Sequence, residues 1–425
     1  MKRRSLQFTL MMSFFLLLYL SSSGATFASA TAIVPLPNTT NGIHVALVHE
    51  SHANVSAENG VIDYVWGARQ PLPGHTSHKD FYFKFDRAGG DPNTHGFPPY
   101  YSKSWFLQNH PDWLVYLCDK KSLAYEYNDP QVPLDITNPA VRQFELNTWI
   151  KPALNKGYDG VAFDNVNLDN RQSAGRCGIW TTDNNGNKQW QYLYGNAQSI
   201  HGTSYVQSVI KWAQAMYQAI HAYSPAAVMT MNYSPNNSGD MHGTLKFNDQ
   251  LNPYSDNMLD EGGFTDGLNH SPYTIDRYWQ LEAGFARDLA DHSKGLVMVF
   301  AFNYATLTTA QKQWALANYL LLKGDHTYMT ISSSGDNGNL YGHMNILPEY
   351  SLNIGHPINV MYQSQGVYMR DFSNGKTLVN PSSKHTYTVT IPAGTYTDAY
   401  GNPIKGHVTL GIHSGLVLLS ISSHL

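Results

Sequence analysis

Gly157-Tyr-Asp-Gly-Val-Ala-Phe-Asp-Asn165 decides the fold class of this chain. A glycine closes the preceding segment, a short β-branched and aromatic run follows, and the run finishes on a carboxylate and an amide. Apolar strand residues have no reason to end in Asp-Asn unless the chain emerges into a polar cleft, although Asp164 would equally serve to cap the next turn. Upstream, Asn138–Leu154 reads as a helix with Asn138 as N-cap and Pro139 at the first helical position. Helix, glycine, buried strand and polar strand end make up the repeating unit of a parallel β/α architecture.

The same grammar extends in both directions. Candidate strands are Ile43–His49, Val61–Trp66, Asp80–Asp86, Trp113–Cys118, Gly160–Asp164, Ala227–Asn232, Asn257–Glu261, Leu296–Phe302 and Thr327–Ile331. They are one too many for an eight-stranded barrel, and one of the first two is expected to lie outside it or to pair irregularly. Ser204–Tyr223 places Val206, Ile210, Ala213, Met216 and Ile220 on one helical face, and Thr309–Leu322 follows a Thr cap. Eight strands with intervening helices over roughly 300 residues predict a TIM-type (β/α)8 barrel. The long Gly-, Asn- and Asp-rich segments Arg87–Tyr101, Asn165–Ile200 and Tyr233–Asp256 come after strands, where such a barrel builds its site.

Beyond about Pro357 the pattern changes to short strands separated by Ser, Asn, Gly and Pro turns: Gly366–Phe372, Lys376–Asn380, Tyr387–Ile391, His407–Leu410 and Leu416–Ile421. This predicts a small antiparallel β domain at residues 357–425, placed to pack on the barrel at 31–356. Residues 1–30 read as a signal peptide. Lys2, Arg3 and Arg4 precede an apolar stretch from Met11 to Leu20, and Ala28-Ser-Ala30 offers a small-residue cleavage site. The competing reading is a retained anchor. Cleavage after Ala30 predicts an exported, extracellular protein with no membrane partner.

The chain has 27 Lys+Arg against 31 Asp+Glu, a net charge of -4. Without the three basic residues at the N-terminus the balance is more acidic still, which argues against nucleic acid or an anionic membrane surface as partner. Aromatic residues make up 13%, with 28 Tyr and 9 Trp, a composition suited to stacking on sugar rings as well as to filling cores. Cys118 and Cys177 are an even pair in an exported chain and are candidates for one disulfide.

The second carboxylate comes from Asp256-Asn-Met-Leu-Asp-Glu-Gly-Gly-Phe264, another short apolar run that ends in acids. Extended Asp260 and Glu261 point to opposite sides, so only one can face the barrel mouth. Glu261, nearest the strand end, is favoured and Asp260 is the alternative. Two strand-end carboxylates on opposite walls are what glycosidic cleavage needs: one protonates the leaving oxygen, and the other attacks or stabilises the oxocarbenium-like centre. Further polar strand ends at Asp86 and Arg87, Asp119, Asn165, Asn232 and Tyr233, and Asn303 and Tyr304 suggest a wet, hydroxyl-binding cleft. Asp86 and Arg87 would otherwise pair with each other. Trp180 and Trp190 are candidates for sugar stacking or for a local core. His49-Glu50-Ser51-His52 lacks the zinc-hydrolase spacing, Asp240 and His242 make no cluster, and neither a nucleophile elbow nor a phosphate or dinucleotide loop is present. No metal and no cofactor is therefore expected.

His110-Pro-Asp-Trp-Leu-Val-Tyr-Leu-Cys-Asp119, Val132-Pro-Leu-Asp-Ile-Thr-Asn-Pro-Ala-Val-Arg142, the Gly157–Asn165 stretch, Leu259-Asp-Glu-Gly-Gly-Phe-Thr265 and Pro348-Glu-Tyr-Ser-Leu-Asn-Ile-Gly-His-Pro357 occur in this order. The chain thereby resembles hypothetical glycosyl hydrolase family 15 and, more distantly, the endo-α-1,4-polygalactosaminidase and α-galactosidase barrels. The resemblance implies Asp164 as nucleophile on the fourth strand, Glu261 as general acid/base, and an α-linked poly- or oligosaccharide as substrate, cleaved with retention. A catalytically silent glycan-binding barrel and a metal-dependent deacetylase of acylated sugars are the competing readings.

Overall fold

The structure, a computed structural model, describes residues 33–48, 60–68, 76–88, 101–125, 132–168, 170, 176–194, 203–233, 235, 247–261, 263–266, 275–302, 306–331, 346–393 and 395–421. Eight parallel strands close a barrel: β1 (Val45–Val48), β2 (Ile62–Ala68), β3 (His78–Lys84), β4 (Gly160–Asp164), β5 (Val228–Asn232), β6 (Asn257–Glu261), β7 (Gly295–Phe300) and β8 (Thr327–Ile331). Strand alternation sorts their side chains. Ala46, Val48, Tyr64, Trp66, Tyr82, Ala162, Leu259, Val297, Val299 and Tyr328 pack together in the lumen. Val161, Phe163, Met229, Met231, Met258 and Met298 point outward into the larger core beneath the helices.

Both of the first two candidate strands belong to the barrel, and the extra one is Trp113–Cys118. That segment leaves a 3-10 turn at Pro111–Trp113 and, among the described residues, forms isolated bridges, Leu114 with Leu134 and Tyr116 with Leu123 and Gly178. It is a buried excursion after β3, made apolar by its contacts with neighbouring loops, so its composition mimics a strand.

The opening stretch is explained residue by residue. Gly157 takes a positive φ of 99° where the preceding helical segment ends. Asp159 accepts hydrogen bonds from the backbone amides of Val34 (2.7 Å) and Lys79 (2.9 Å), tying the N-terminal strap to the start of β3. Gly160 has no Cβ because one would lie 2.3 Å from Asp80 Oδ1 and 2.4 Å from the Val228 carbonyl oxygen. Ala162 faces the lumen, and Asp164 ends the strand on the same face.

Lumen polarity begins below the mouth. Asp80 accepts from the Tyr64 hydroxyl and from Thr230 Oγ1 (2.7 Å), and pairs with His78 Nε2 at 2.9 Å, all fully buried. Burial alone would push the His78 imidazole down, but the Asp80 carboxylate beside it raises it overall. The strap continues across this end of the barrel, where the Pro37 carbonyl accepts from the Tyr328 hydroxyl at 2.8 Å.

Among the helices, α1 (Pro139–Glu145) starts as expected, with Asn138 Oδ1 accepting from the Ala140 amide, and then widens into a π turn at Leu146–Ile150. The helix α2 spans Thr203–Tyr223 and α3 spans Ile275–Asp291. A capping box of Thr308 and Gln311 opens α4 (Thr309–Leu322).

The five expected C-terminal strands are present, joined by Tyr362–Ser364 and Tyr396–Asp398, in a five-stranded and a two-stranded antiparallel sheet around Val367, Leu378, Val389, Leu410 and Leu418. This part packs on α4. Thr377 Oγ1 donates to the Ala317 carbonyl at 3.2 Å, and the Val417 amide donates to Gln313 Oε1 at 2.9 Å. Residues 31–425 form one compact unit.

Candidate active site

Asp164 and Glu261 end β4 and β6 on the lumen side, two residues beyond Ala162 and Leu259 respectively. Asn232 ends β5, the strand between them. Its side-chain Nδ2 donates to Asp164 Oδ1 at 2.8 Å and to Glu261 Oε2 at 2.9 Å. Both bonds leave one nitrogen, so these two oxygens lie no farther apart than the two bonds laid end to end, about 5.7 Å.

Asp164 is buried, 8% exposed, and surrounded by donors. Tyr82 Oη donates to its Oδ2 at 2.5 Å, the Asn165 backbone amide to Oδ1 at 2.9 Å, and Asn165 Nδ2 to Oδ2 at 3.3 Å. Asn165 reaches both oxygens because it turns into the left-handed region, φ 60°. Asn tolerates that conformation better than most residues. Hydrogen bonds to the charged form favour the carboxylate. Glu261 is half-buried. Asp260 turns to the outer side, where the missing Cβ of Gly263 makes room for its carboxylate; a Cβ there would lie 2.2 Å from Oδ2.

The other expected cleft residues divide by position. Tyr233 is buried in the outer core, its hydroxyl bonded to Asn248 Oδ1. Asp86 lies two residues past the end of β3 and pairs with Arg176 Nη2 at 2.7 Å, both side chains 3% exposed. That pair ties the excursion after β3 to the loop after β4. Arg87 is placed only by its backbone, in a two-residue ribbon with Val132–Pro133, and its side chain lies outside the described residues. Asp119 does not end a barrel strand. It sits in an exposed turn, where the Ser122 hydroxyl and the Lys121 and Ser122 amides bind its carboxylate and hold it below its ordinary range. Asn303 and Tyr304, like the His49–His52 segment and Asp240 and His242, lie outside the described residues. Among the described residues no group of three or more His, Cys, Asp or Glu could hold a metal ion.

Cys118 and Cys177 are bonded, with Cα atoms 5.1 Å apart. The link joins the β3 excursion to the loop after β4, just before a hairpin of Gly178–Thr182 and Lys188–Tyr192 that carries Trp180 and Trp190. Sequence reading missed Tyr82 and Lys84, which share the lumen face of β3; Lys84 stands in register with Asp164. Alternation along Asp80–Asp86 is the signal that could have found them. Trp66, fully buried, meets Tyr82 edge-on at 5.5 Å.

A parallel barrel with two acids bridged across the mouth is the frame of a carbohydrate-cleaving enzyme. The sequence pattern of hypothetical glycosyl hydrolase family 15 matches residues 90–376, and the chain belongs to that family. It is a glycoside hydrolase, and its substrate is a carbohydrate. Among solved structures it is similar to an α-amylase from Lactobacillus plantarum (10% identity, 90% of this chain and 99% of that one, TM-score 0.51). It is also similar to the noncanonic maltogenic α-amylase AmyB from Thermotoga neapolitana (12% identity, 90% and 100%, TM-score 0.46). A third similar structure is the glycoside hydrolase domain of PelA from Pseudomonas aeruginosa (13% identity, 69% and 95%, TM-score 0.42). At 10% identity the likeness to the Lactobacillus plantarum enzyme speaks for the fold alone. No curated protein matches the chain.

Proposed function

We propose that the protein is exported and cleaves α-linked poly- or oligosaccharides by a two-carboxylate, retaining mechanism. Asp164 is the nucleophile and Glu261 the general acid/base. The observation that carries this reading is the single Asn232 nitrogen bonded to both acids. The ceiling of about 5.7 Å that it sets on the distance between the two bonded oxygens lies nearer the roughly 5–5.5 Å of retaining enzymes than the roughly 6.5–9.5 Å that leaves room for an attacking water, and this supports the retaining reading.

The five-coordinate anomeric centre forms between the two acids. Glu261, protonated, gives its proton to the glycosidic oxygen as the bond to the anomeric carbon breaks. An Asp164 oxygen forms the new bond to that carbon. A water molecule then attacks the glycosyl-enzyme, giving a proton to Glu261 and returning Asp164 to its carboxylate. The donors around Asp164 suit the second group, which must be ionised at the start. Glu261, more exposed than Asp164, suits the group that exchanges protons. The α-linkage rests on the distant resemblance to polygalactosaminidase and α-galactosidase barrels, and the α-amylase of Lactobacillus plantarum shares the fold.

Export rests on the N-terminal pattern of residues 1–30 and agrees with the Cys118–Cys177 bond, which an oxidising compartment preserves. N-terminal mapping of protein recovered from the medium should begin at Thr31. Purified mature protein should release reducing ends from a polysaccharide panel, and Asp164→Asn and Glu261→Gln should each abolish release. Undiminished turnover in both variants removes the site assignment. Glycan binding without cleavage by wild type supports the silent-barrel reading. Early product of inverted anomeric configuration, read by NMR, removes the retaining assignment.

A further inference from the structure

The hairpin Gly178–Thr182/Lys188–Tyr192 carries Trp180, Trp190 and Tyr192 on the face opposite its buried Ile179. Direct cross-strand partners share a face, so Trp180 and Trp190 lie beside Gly178 and Tyr192, whereas Ile179 points the other way. Ile179 serves the protein side: it is 4% exposed and packs with Val115 and Ala124. On the opposite face Trp180 meets Trp190 edge-on at 5.4 Å, and Trp190 meets Tyr192 at 5.6 Å. Tyr192 is 41% exposed and both tryptophans remain partly open. The Trp190 ring lies over Gly178, where a Cβ would come within 2.6 Å of it. Lys120 stands beside the rings, its Nζ 5.7 Å from the Trp190 centroid and 5.4 Å from that of Tyr192, and its carbonyl accepts from Trp180 Nε1 at 3.0 Å.

We infer that this face is a distal subsite that holds a further stretch of the polysaccharide chain whose cleavage centres on Asp164. The inference deepens the proposed function and rests on it for the substrate class. Three features point to a glycan as occupant. The hairpin belongs to the connection between β4, which ends on Asp164, and α2, and so to the strand-end side on which a barrel builds its site. It is fixed to the β3 excursion by the Cys118–Cys177 bond and by the Tyr116–Gly178 bridge, so its rings are held in place before ligand arrives. Flat apolar rings beside an ammonium match a sugar, which offers C–H faces and hydroxyl edges. Such a platform adds affinity for long chains and none for a substrate that fills only the cleavage position.

The test measures retention of the full-length mature protein in native gels cast with amylopectin, galactomannan or α-1,4-galactosaminan. Wild type and Asp164→Asn are run beside Trp180→Ala, Tyr192→Ala and Trp180→Phe. The expected result is retention of wild type and Asp164→Asn by at least one polymer. Binding should weaken about tenfold in each alanine variant and be kept in Trp180→Phe, as stacking rather than hairpin stability requires. On a substrate of two or three sugars the alanine variants should keep wild-type KM. Unchanged polymer retention in both alanine variants, with wild-type circular dichroism, overturns the inference, as does the absence of retention of wild type by every polymer. A loss of short-substrate turnover equal to the loss of polymer binding also overturns it, because the residues then act through the mouth. Retention does not depend on which acids cut, so cleavage that survives Asp164→Asn refutes the catalytic assignment and leaves this one standing.

Discussion

Asp164 and Glu261, on strands separated by β5, accept hydrogen bonds from the same side-chain nitrogen, 2.8 and 2.9 Å away. The contact fixes their spacing through a residue that is itself neither acid nor base. In the proposed mechanism Asn232 is therefore a positioning residue, with a donor aimed at both acids.

Replacing Asn232 by Ala removes that donor from each acid. Transition-state charge stabilised by one preorganised donor is worth about 10²–10³ in kcat. We expect a loss of that order with a smaller change in KM, measured by steady-state kinetics on whichever polymer proves to be the substrate. Asn232→Asp should be worse, because it places a third carboxylate between the two acids. A variant within threefold of wild-type kcat would show that the bridge does not act in turnover.

Asn165 isolates backbone strain from side-chain chemistry. Its φ of 60° costs a β-carbon residue of ordinary shape about 1 kcal/mol more than Asn or Gly. Asn165→Gly should keep the turn, and with it the 2.9 Å amide bond to Asp164, losing only the longer side-chain contact. Asn165→Ala should lower both unfolding free energy and kcat. Urea unfolding and kcat measured on the two variants separate the terms, and equal behaviour would show that the left-handed turn contributes nothing.

Gly160 is required by a neighbour on another strand. An added Cβ meets the Val228 carbonyl at 2.4 Å as well as the Asp80 carboxylate, and backbone cannot rotate away as a side-chain tip can. Overpacking of this kind costs about 1–3 kcal/mol or more. Gly160→Ala should lower the thermal midpoint by several degrees or prevent soluble expression. The surface substitution Gly186→Ala, where nothing lies within 4 Å but φ is 84°, should cost only the backbone term.

Strands Gly160–Asp164 and Asn257–Glu261 were legible to the residue, because each is a short apolar run bounded by glycine, asparagine or acid, and Thr327–Ile331 because it is a compact β-branched and aromatic run. Trp113–Cys118 was not, since periodicity alone cannot distinguish a strand from a buried loop whose polar backbone is satisfied by isolated bridges. His78 and Asp80 were hidden for a related reason. A fully buried acid–imidazole pair contradicts the expected composition of a lumen, and Thr230, Tyr64 and the Val34 carbonyl, all from other segments, satisfy it. The pairing of Asp164 with Glu261 could be guessed from two acidic strand ends. Their bridge could not, because Asn232 stands 68 residues from one and 29 from the other, and their meeting depends on barrel closure.

Lys323 gives the fold a pH dependence of known sign. It follows α4, is 2% exposed, and donates from Nζ to the Gly42 carbonyl at 2.6 Å. Burial, with Arg370 nearby, brings its ammonium down from 10.5 to about 7. Between about pH 7 and 10.5 the unfolded chain therefore holds a proton at this position that the folded chain has released. Unfolding takes up that proton, so raising the pH through this window stabilises the folded state through Lys323. Below about pH 7 the penalty of the buried ammonium is fully present. Lys323→Met removes the titration and also leaves the Gly42 carbonyl without this donor. The variant's absolute stability is therefore less informative than its slope. Urea midpoints measured from pH 6 to pH 10 should rise less, or fall more, with pH in Lys323→Met than in wild type. Parallel pH profiles would mean that Lys323 keeps its proton throughout, and that the Gly42 contact is made by a permanently charged group.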